Sequence, residues 1–254
     1  MTGDGSRRDE LATALGAVRS RVERACADAG RDPGVVTLIV VTKFFPASDV
    51  LLLHDLGVRH FGENRDQEAG EKFAQVRAAL GEAGPADLVL HFIGQLQTNK
   101  AGHVASYADV VQSVDRPRLV NALDRGAHAA DRHLDVLLQV DLDTRSDGGS
   151  GDDSDGVLTA RGGLRPEDAG DLADAVAVRP LLQLRGVMAV APLGVDPDAA
   201  FARLREVADG IRERHPRADW ISAGMSGDLE AAVRHGATHL RVGTAILGSR
   251  PSLL

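Results

Sequence analysis

The chain has 254 residues, 43% of them hydrophobic, and a formal net charge of −8. That is enough apolar material for one sizeable core, and the acidic balance argues against a large nucleic-acid or anionic-membrane footprint. A single cysteine, Cys26, excludes an intrachain disulfide and points to a reducing, cytoplasmic setting; no signal-peptide pattern or run of membrane-spanning length is present.

A helical pattern over Leu11–Ala29 leads into the apolar run Val35–Thr42, which reads as a buried parallel strand. Next come a helix over Ala47–Leu56, a strand over Val58–Phe61, a helix over Asp66–Leu80 and a strand over Leu88–Ile93. A helix over Thr98–Ala105, a strand over Val110–Val114, a helix over Pro117–Asp131 and a strand over Leu134–Val140 follow. The last third adds a helix over Pro166–Ala177, a strand over Leu184–Val190, a helix over Pro197–Arg214, a strand over Trp220–Ser222, a helix over Asp228–His235 and a strand over Leu240–Val242. Ser48 and Asp49 after Pro46, Asp115 before Pro117, and Asp196 before Pro197 read as helix starts; Gly57, Gly81 and Gly236 sit where helices should end. Eight strands alternating with helices predict a single (β/α)8 TIM barrel over residues 1–254, with an extra N-terminal helix; an open doubly wound sheet is the alternative.

One segment breaks the alternation. Asp143–Gly163 is rich in Gly, Ser and Asp and reads as a flexible acidic loop after the fifth strand. It fails as a calcium loop. With Asp153 and Asp155 at loop positions three and five, Gly151 and Gly162 fall at positions one and twelve, where anionic ligands belong.

Chemistry concentrates at the strand ends. Lys43 falls where the first strand should stop, and its amine either snorkels to solvent or meets a ligand. A desolvated lysine has its neutral amine favoured, which suits Schiff-base formation with an aldehyde. Gly224, Ser226 and Gly227 form a small-residue turn after the seventh strand; Arg241 ends the eighth, and Gly243 and Thr244 open the next turn. In barrels these two loops frequently bind phosphate, and the two halves in adjacent loops favour that reading over glycines that serve tight turns alone. Glu63, Asn64 and the stretch His91–Lys100 would line the same mouth, Glu63 and Asn64 either orienting a ligand or capping the next helix. His235 and His239 are four apart, but Gly236 interrupts the helix between them. Cys26 reads as a buried structural thiol. A lysine at one side of the mouth and a phosphate cradle at the other imply a ligand with both an aldehyde and a phosphate. Pyridoxal 5′-phosphate (PLP) fits, and so does a sugar phosphate in a Schiff-base aldolase.

The segments VTKFFP, FGEN, HFIGQLQTNK, QSVD, LRGVMAV, SAGMSGDLEAAV and RVGTAILGSR resemble the pyridoxal phosphate homeostasis proteins, between Val35 and Arg250. That family resembles the barrel domain of alanine racemase and holds PLP on one domain. The resemblance implies that Lys43 carries the cofactor as a Schiff base. It implies that Ser226, Gly243 and Thr244 hold the phosphate, that Arg241 lies near the pyridine nitrogen, and that Asn64 sits beside the ring. Two departures stand out: the acidic insertion after Val140 replaces a shorter, more basic stretch, and Ala223 stands where many members carry methionine.

Racemisation at a pyridoxal centre needs acid–base groups on both faces, and in alanine racemase a second domain supplies one of them as a tyrosine. The only tyrosine here, Tyr107, lies between the third and fourth strands. An arginine at the ring nitrogen also weakens the ring as an electron sink. The expectation is a monomeric, cytoplasmic protein that carries, buffers or regulates PLP through Lys43, with PLP-dependent apoenzymes as recipients and no catalytic residues. A weak PLP-dependent amino-acid racemase is the alternative.

Overall fold

Parallel strands need helical crossovers, and the crossovers cover the outer face of the sheet. The computed structural model describes residues 3–81, 87–143 and 162–249. Eight parallel strands close into a barrel in chain order: β1 (Thr37–Val41), β2 (His60–Glu63), β3 (Val89–Phe92), β4 (Val110–Val114), β5 (Leu134–Gln139), β6 (Leu182–Met188), β7 (Trp220–Ser222) and β8 (His239–Val242). β8 pairs back onto β1, with Ile39 opposite Arg241. This is the expected (β/α)8 barrel, and the open doubly wound sheet is ruled out.

The outer layer comprises α2 (Ala47–Asp55), α3 (Asp66–Leu80), α4 (Ala101–Tyr107), α5 (Pro117–Ala130), α6 (Ala169–Ala177), α7 (Pro197–Arg214), α8 (Leu229–Arg234) and a short α9 (Thr244–Leu247). The leading helix α1 (Gly3–Asp28) packs Leu11, Leu15, Val18, Val22 and Cys26 into the core. It also ties strand-end loops together: Arg7 pairs with Asp49 at 2.7 Å and donates to the Leu247 carbonyl, while Arg21 grips Glu230 and the Ser226 carbonyl.

Several boundaries differ from the sequence reading for physical reasons. Val35 belongs to a 3₁₀ turn set by Pro33 and is 53% exposed, so β1 starts later. β8 extends back over His239, a polar residue that an apolar pattern passes over, and β2 runs two residues later than the Val58–Phe61 reading, taking in Gly62 and Glu63. Asp196 caps α7 by accepting from the Asp198 N–H. Asp49 caps nothing; its carboxylate is spent on Arg7. The expected glycine stops hold, with φ of 83° at Gly57, 65° at Gly81 and 91° at Gly236. Most of the acidic stretch, residues 144–161, lies outside the described residues. Among the described residues no helix is long and apolar enough to cross a membrane.

The lumen is divided. One side is apolar, with Val110, Leu137 and Met188 packed against Val89 and Trp220. The other holds His60, His91, Gln112, Ser222, His239 and Arg241, joined in a polar network.

Candidate functional site at the carboxyl ends of the strands

Lys43 sits two residues beyond β1, half-buried in a turn whose flanks are clamped. Thr42 is buried; its N–H donates to the Gly62 carbonyl at 3.0 Å and its hydroxyl to Glu63 Oε1 at 2.7 Å. Phe44 has φ 71°, unusual for a bulky residue, and its N–H donates to Glu68 Oε1 at 2.6 Å. Lys72 on α3 closes the arrangement, donating to the Thr42 carbonyl at 2.9 Å, Glu63 Oε1 at 2.8 Å and Glu68 Oε1 at 3.1 Å. Both neighbours of Lys43 are thus fixed by one ion cluster of Glu63, Glu68 and Lys72.

The chain contains three lysines: Lys43, Lys72 and Lys100. Lys72 is held between two carboxylates, 2.8 Å from Glu63 and 3.1 Å from Glu68. Lys100 is exposed in the 3₁₀ helix Thr98–Lys100. Lys43 therefore stands apart as a half-buried amine at the barrel mouth.

Glu63 does not fulfil either role read from the sequence. It neither caps α3, whose N-cap residue is Arg65, nor lines the mouth; it is fully buried under the Lys43 turn. Burial pushes its carboxyl up, opposed by Lys72 and by the hydrogen bond from Thr42. Asn64 makes no cap either. Its Oδ1 is buried with no hydrogen-bond partner among the described residues, and such a group implies a donor still to come.

On the other side of Lys43 the ends of β1 and β8 abut: a Cβ added at Gly243 would lie 3.1 Å from the Val41 carbonyl. After β7 the chain turns at Gly224 with φ 88°, where a Cβ would come within 2.6 Å of the Ala232 Cβ, so this glycine is required by both backbone and packing. Ser226 and Gly227 follow; the Met225 N–H is taken by Asp228 Oδ1 at 2.6 Å. The backbone N–H groups of Ser226, Gly227, Thr244 and Ala245 donate to no protein acceptor among the described residues. Two adjacent turns thus present open donors, the arrangement a phosphate group requires. Arg241 lies just below, 4% exposed, with Nη1 donating to Ser222 Oγ and Nη2 to the Ala189 carbonyl, each at 2.7 Å. Burial pushes its guanidinium down to about 10, so it remains a cation at neutral pH.

In barrel order β7, β8, β1 and β2, the residues Ser226, Arg241, Gly243, Thr244, Lys43 and Asn64 occupy one continuous arc. His91, expected at the mouth, points instead into the lumen. Gln95, Gln97 and Lys100 line a separate cleft of about 670 Å³ that meets the arc at Asn64. His235 and His239 part company: His235 pairs with Asp198, while His239 stacks on Trp220 in the lumen. Tyr107 is in α4, its hydroxyl donating to Asp66 rather than facing the mouth. Sequence reasoning missed the clamp of Thr42, Glu68 and Lys72; the Glu68–Lys72 spacing of four gave only the sign of a surface helix pair.

Residues 14–251 match the family model for the alanine racemase N-terminal domain. This defines the class: a barrel of the alanine racemase N-terminal type. Alanine racemase from Corynebacterium glutamicum shares the fold at 14% identity and TM-score 0.66, with this chain covering 62% of it. The pyridoxal phosphate homeostasis protein of Mycobacterium tuberculosis is 42% identical over 255 residues, spanning 96% of this chain and 94% of the relative. The Escherichia coli protein of the same name is 36% identical, with 95% and 97% covered. PipY of Synechococcus elongatus, solved with PLP bound, superposes with TM-score 0.75 at 33% identity, covering 94% of this chain and 100% of that one. The chain belongs to the pyridoxal phosphate homeostasis protein family.

Proposed function

We propose that this protein binds PLP at the carboxyl-terminal mouth of the barrel, covalently through Lys43, and serves to carry, buffer or regulate the cofactor. The observation that carries this reading is the arc itself: a half-buried amine on a clamped turn, with open backbone donors on one side and an orphaned Asn64 Oδ1 on the other. The residues fit the group. PLP, when bound, supplies an aldehyde for the lysine amine, a phosphate for the donor turns and a pyridine ring between them.

The protein's own part is then binding and orientation. The Glu63–Glu68–Lys72 cluster holds the backbone on either side of Lys43 so that its amine faces the mouth. Ser226, Gly243 and Thr244 take the phosphate through hydroxyl and N–H donors. Arg241, a permanent donor, faces the ring nitrogen and keeps it unprotonated. Asn64 completes the ring contacts.

Carriage rather than turnover is supported by the name of the relatives and by Tyr107, the sole tyrosine, whose hydroxyl donates to Asp66. We assign a cytoplasmic monomer that passes PLP to apoenzymes. Mixing the holoprotein with single enantiomers of amino acids and following optical rotation tests this; loss of chirality faster than with free PLP would establish a racemase instead. Delivery is tested by mixing holoprotein with a PLP-dependent apoenzyme and following its activation, which should outpace activation by an equal concentration of free PLP.

A further inference from the structure

A line of hydrogen bonds runs down the barrel axis from Arg241, and the direction of every link is determined. Arg241 can only donate, so Ser222 Oγ accepts from Nη1 at 2.7 Å. The one Ser222 hydroxyl proton is then directed to Gln112, fixing the atom at 2.7 Å as the carbonyl oxygen Oε1. The Gln112 amide Nε2 faces His91 Nδ1 at 2.9 Å and must donate to it. His91 therefore carries its proton on Nε2 and donates it to His60 Nδ1, also at 2.9 Å. His91, Gln112 and Ser222 are essentially sealed from solvent, whereas His60 is half-buried at the opposite face, beside Thr37 and Arg59 in a cavity of about 410 Å³.

Among the described residues the neighbouring polar groups are engaged elsewhere. His239 lies 6.1 Å from the His91 ring and is engaged by Thr238 Oγ1 and Trp220; Arg185 stacks on the far side of Trp220 and pairs with Asp135. Among the described residues no carboxylate forms an ion pair with Arg241, although the charge of Asp228 reaches it, and its hydrogen bonds run to Ser222 and the Ala189 carbonyl.

We infer that Ser222, Gln112 and His91 are positioning residues: they form a one-way hydrogen-bond chain that fixes the Arg241 guanidinium under the cofactor ring. This rests on the PLP-binding reading above. The chain orients Arg241 by consuming one Nη1–H and by polarising each successive donor away from the mouth. Because an arginine cannot accept, the sequence of donors cannot reverse, and a break at any link frees the one above it to rotate.

Two measurements separate the chain from the binding reading. In the cofactor-free protein, 15N NMR of the histidine ring should report His91 as the neutral Nε2–H tautomer from pH 5 to 8; an Nδ1–H tautomer or a charged ring in that range overturns the chain. In the PLP-loaded protein, Ser222→Ala and Gln112→Met should each shift the visible absorption band and weaken PLP retention by at least about tenfold, the scale of one lost hydrogen bond to a charged group. Ser222→Thr keeps the hydroxyl and should restore both. Folded Ser222→Ala and Gln112→Met proteins with wild-type band and retention would refute the inference, as would Ser222→Thr behaving like Ser222→Ala. If wild-type protein shows the His91 tautomer but takes up no PLP, the binding reading fails and the chain stands.

Discussion

Replacing Lys72 with methionine isolates the clamp that flanks Lys43. The ammonium group makes three hydrogen bonds, to the Thr42 carbonyl and to Glu63 and Glu68, and Glu63 has no exposed side-chain surface. Methionine fills the space of the stem but leaves a buried carboxylate with the Thr42 hydroxyl as its remaining donor. Breaking one side of a buried pair costs about 3–5 kcal/mol. At about 2–4 °C per kcal/mol for a chain of this size, thermal unfolding at pH 7 should begin roughly 6–20 °C lower. Glu63 gives the effect a pH signature. Burial already raises its carboxyl, and Lys72 is the strongest influence holding it down, so Lys72→Met raises it further. A carboxyl raised in the folded state costs stability above its folded pKa, and the cost disappears as pH falls toward the unfolded value of about 4.3. The gap between Lys72→Met and wild type, measured by calorimetry, should therefore narrow from pH 7 to pH 5. Glu63→Gln combined with Lys72→Met should recover much of the loss at pH 7. A gap that is constant with pH, or a double variant no better than the single, would refute the buried-charge account.

Ser226→Ala should fold normally, because its hydroxyl makes no hydrogen bond within the described residues, yet weaken PLP binding by about 1.5–3 kcal/mol by fluorescence titration. Equal affinity for pyridoxal and its phosphate in the parent protein would contradict the phosphate cradle. Gly224→Ala forces a Cβ into a φ of 88° and to 2.6 Å from Ala232, and should cost about 2–5 kcal/mol in urea unfolding. Arg7→Ala strands the buried Asp49 and frees the Leu247 carbonyl, so faster amide exchange is expected around α9 than in the parent.

The barrel was legible in the sequence because each strand buries its outward face beneath a helix, leaving a short β-branched run such as Val110–Val114. Where polar or small residues enter a strand, the run stops short: it omits His239 from β8, and Gly62 and Glu63 from β2, although they occupy regular strand positions. Lys43 and the turns at Ser226 and Gly243 could be singled out as candidates because a lysine after an apolar strand, and glycines after short strands, are locally conspicuous. The clamp beneath Lys43 could not, since Glu63 and Lys72 look like ordinary polar residues until two strand ends bury them together. The axial chain is harder still. Its links come from β2, β3, β4, β7 and β8, and only the closed barrel brings His60 and Ser222 into one line.

Reductive trapping tests the central claim most directly. The protein is incubated with PLP, reduced with borohydride, digested and mapped by mass spectrometry. With lysines only at positions 43, 72 and 100, the outcome is discrete. A visible band that is lost on reduction, with the pyridoxyl group on the peptide carrying Lys43 and a colourless Lys43→Ala variant, is the predicted result. Label on Lys100 or Lys72, or an unchanged band in Lys43→Ala, would contradict the account.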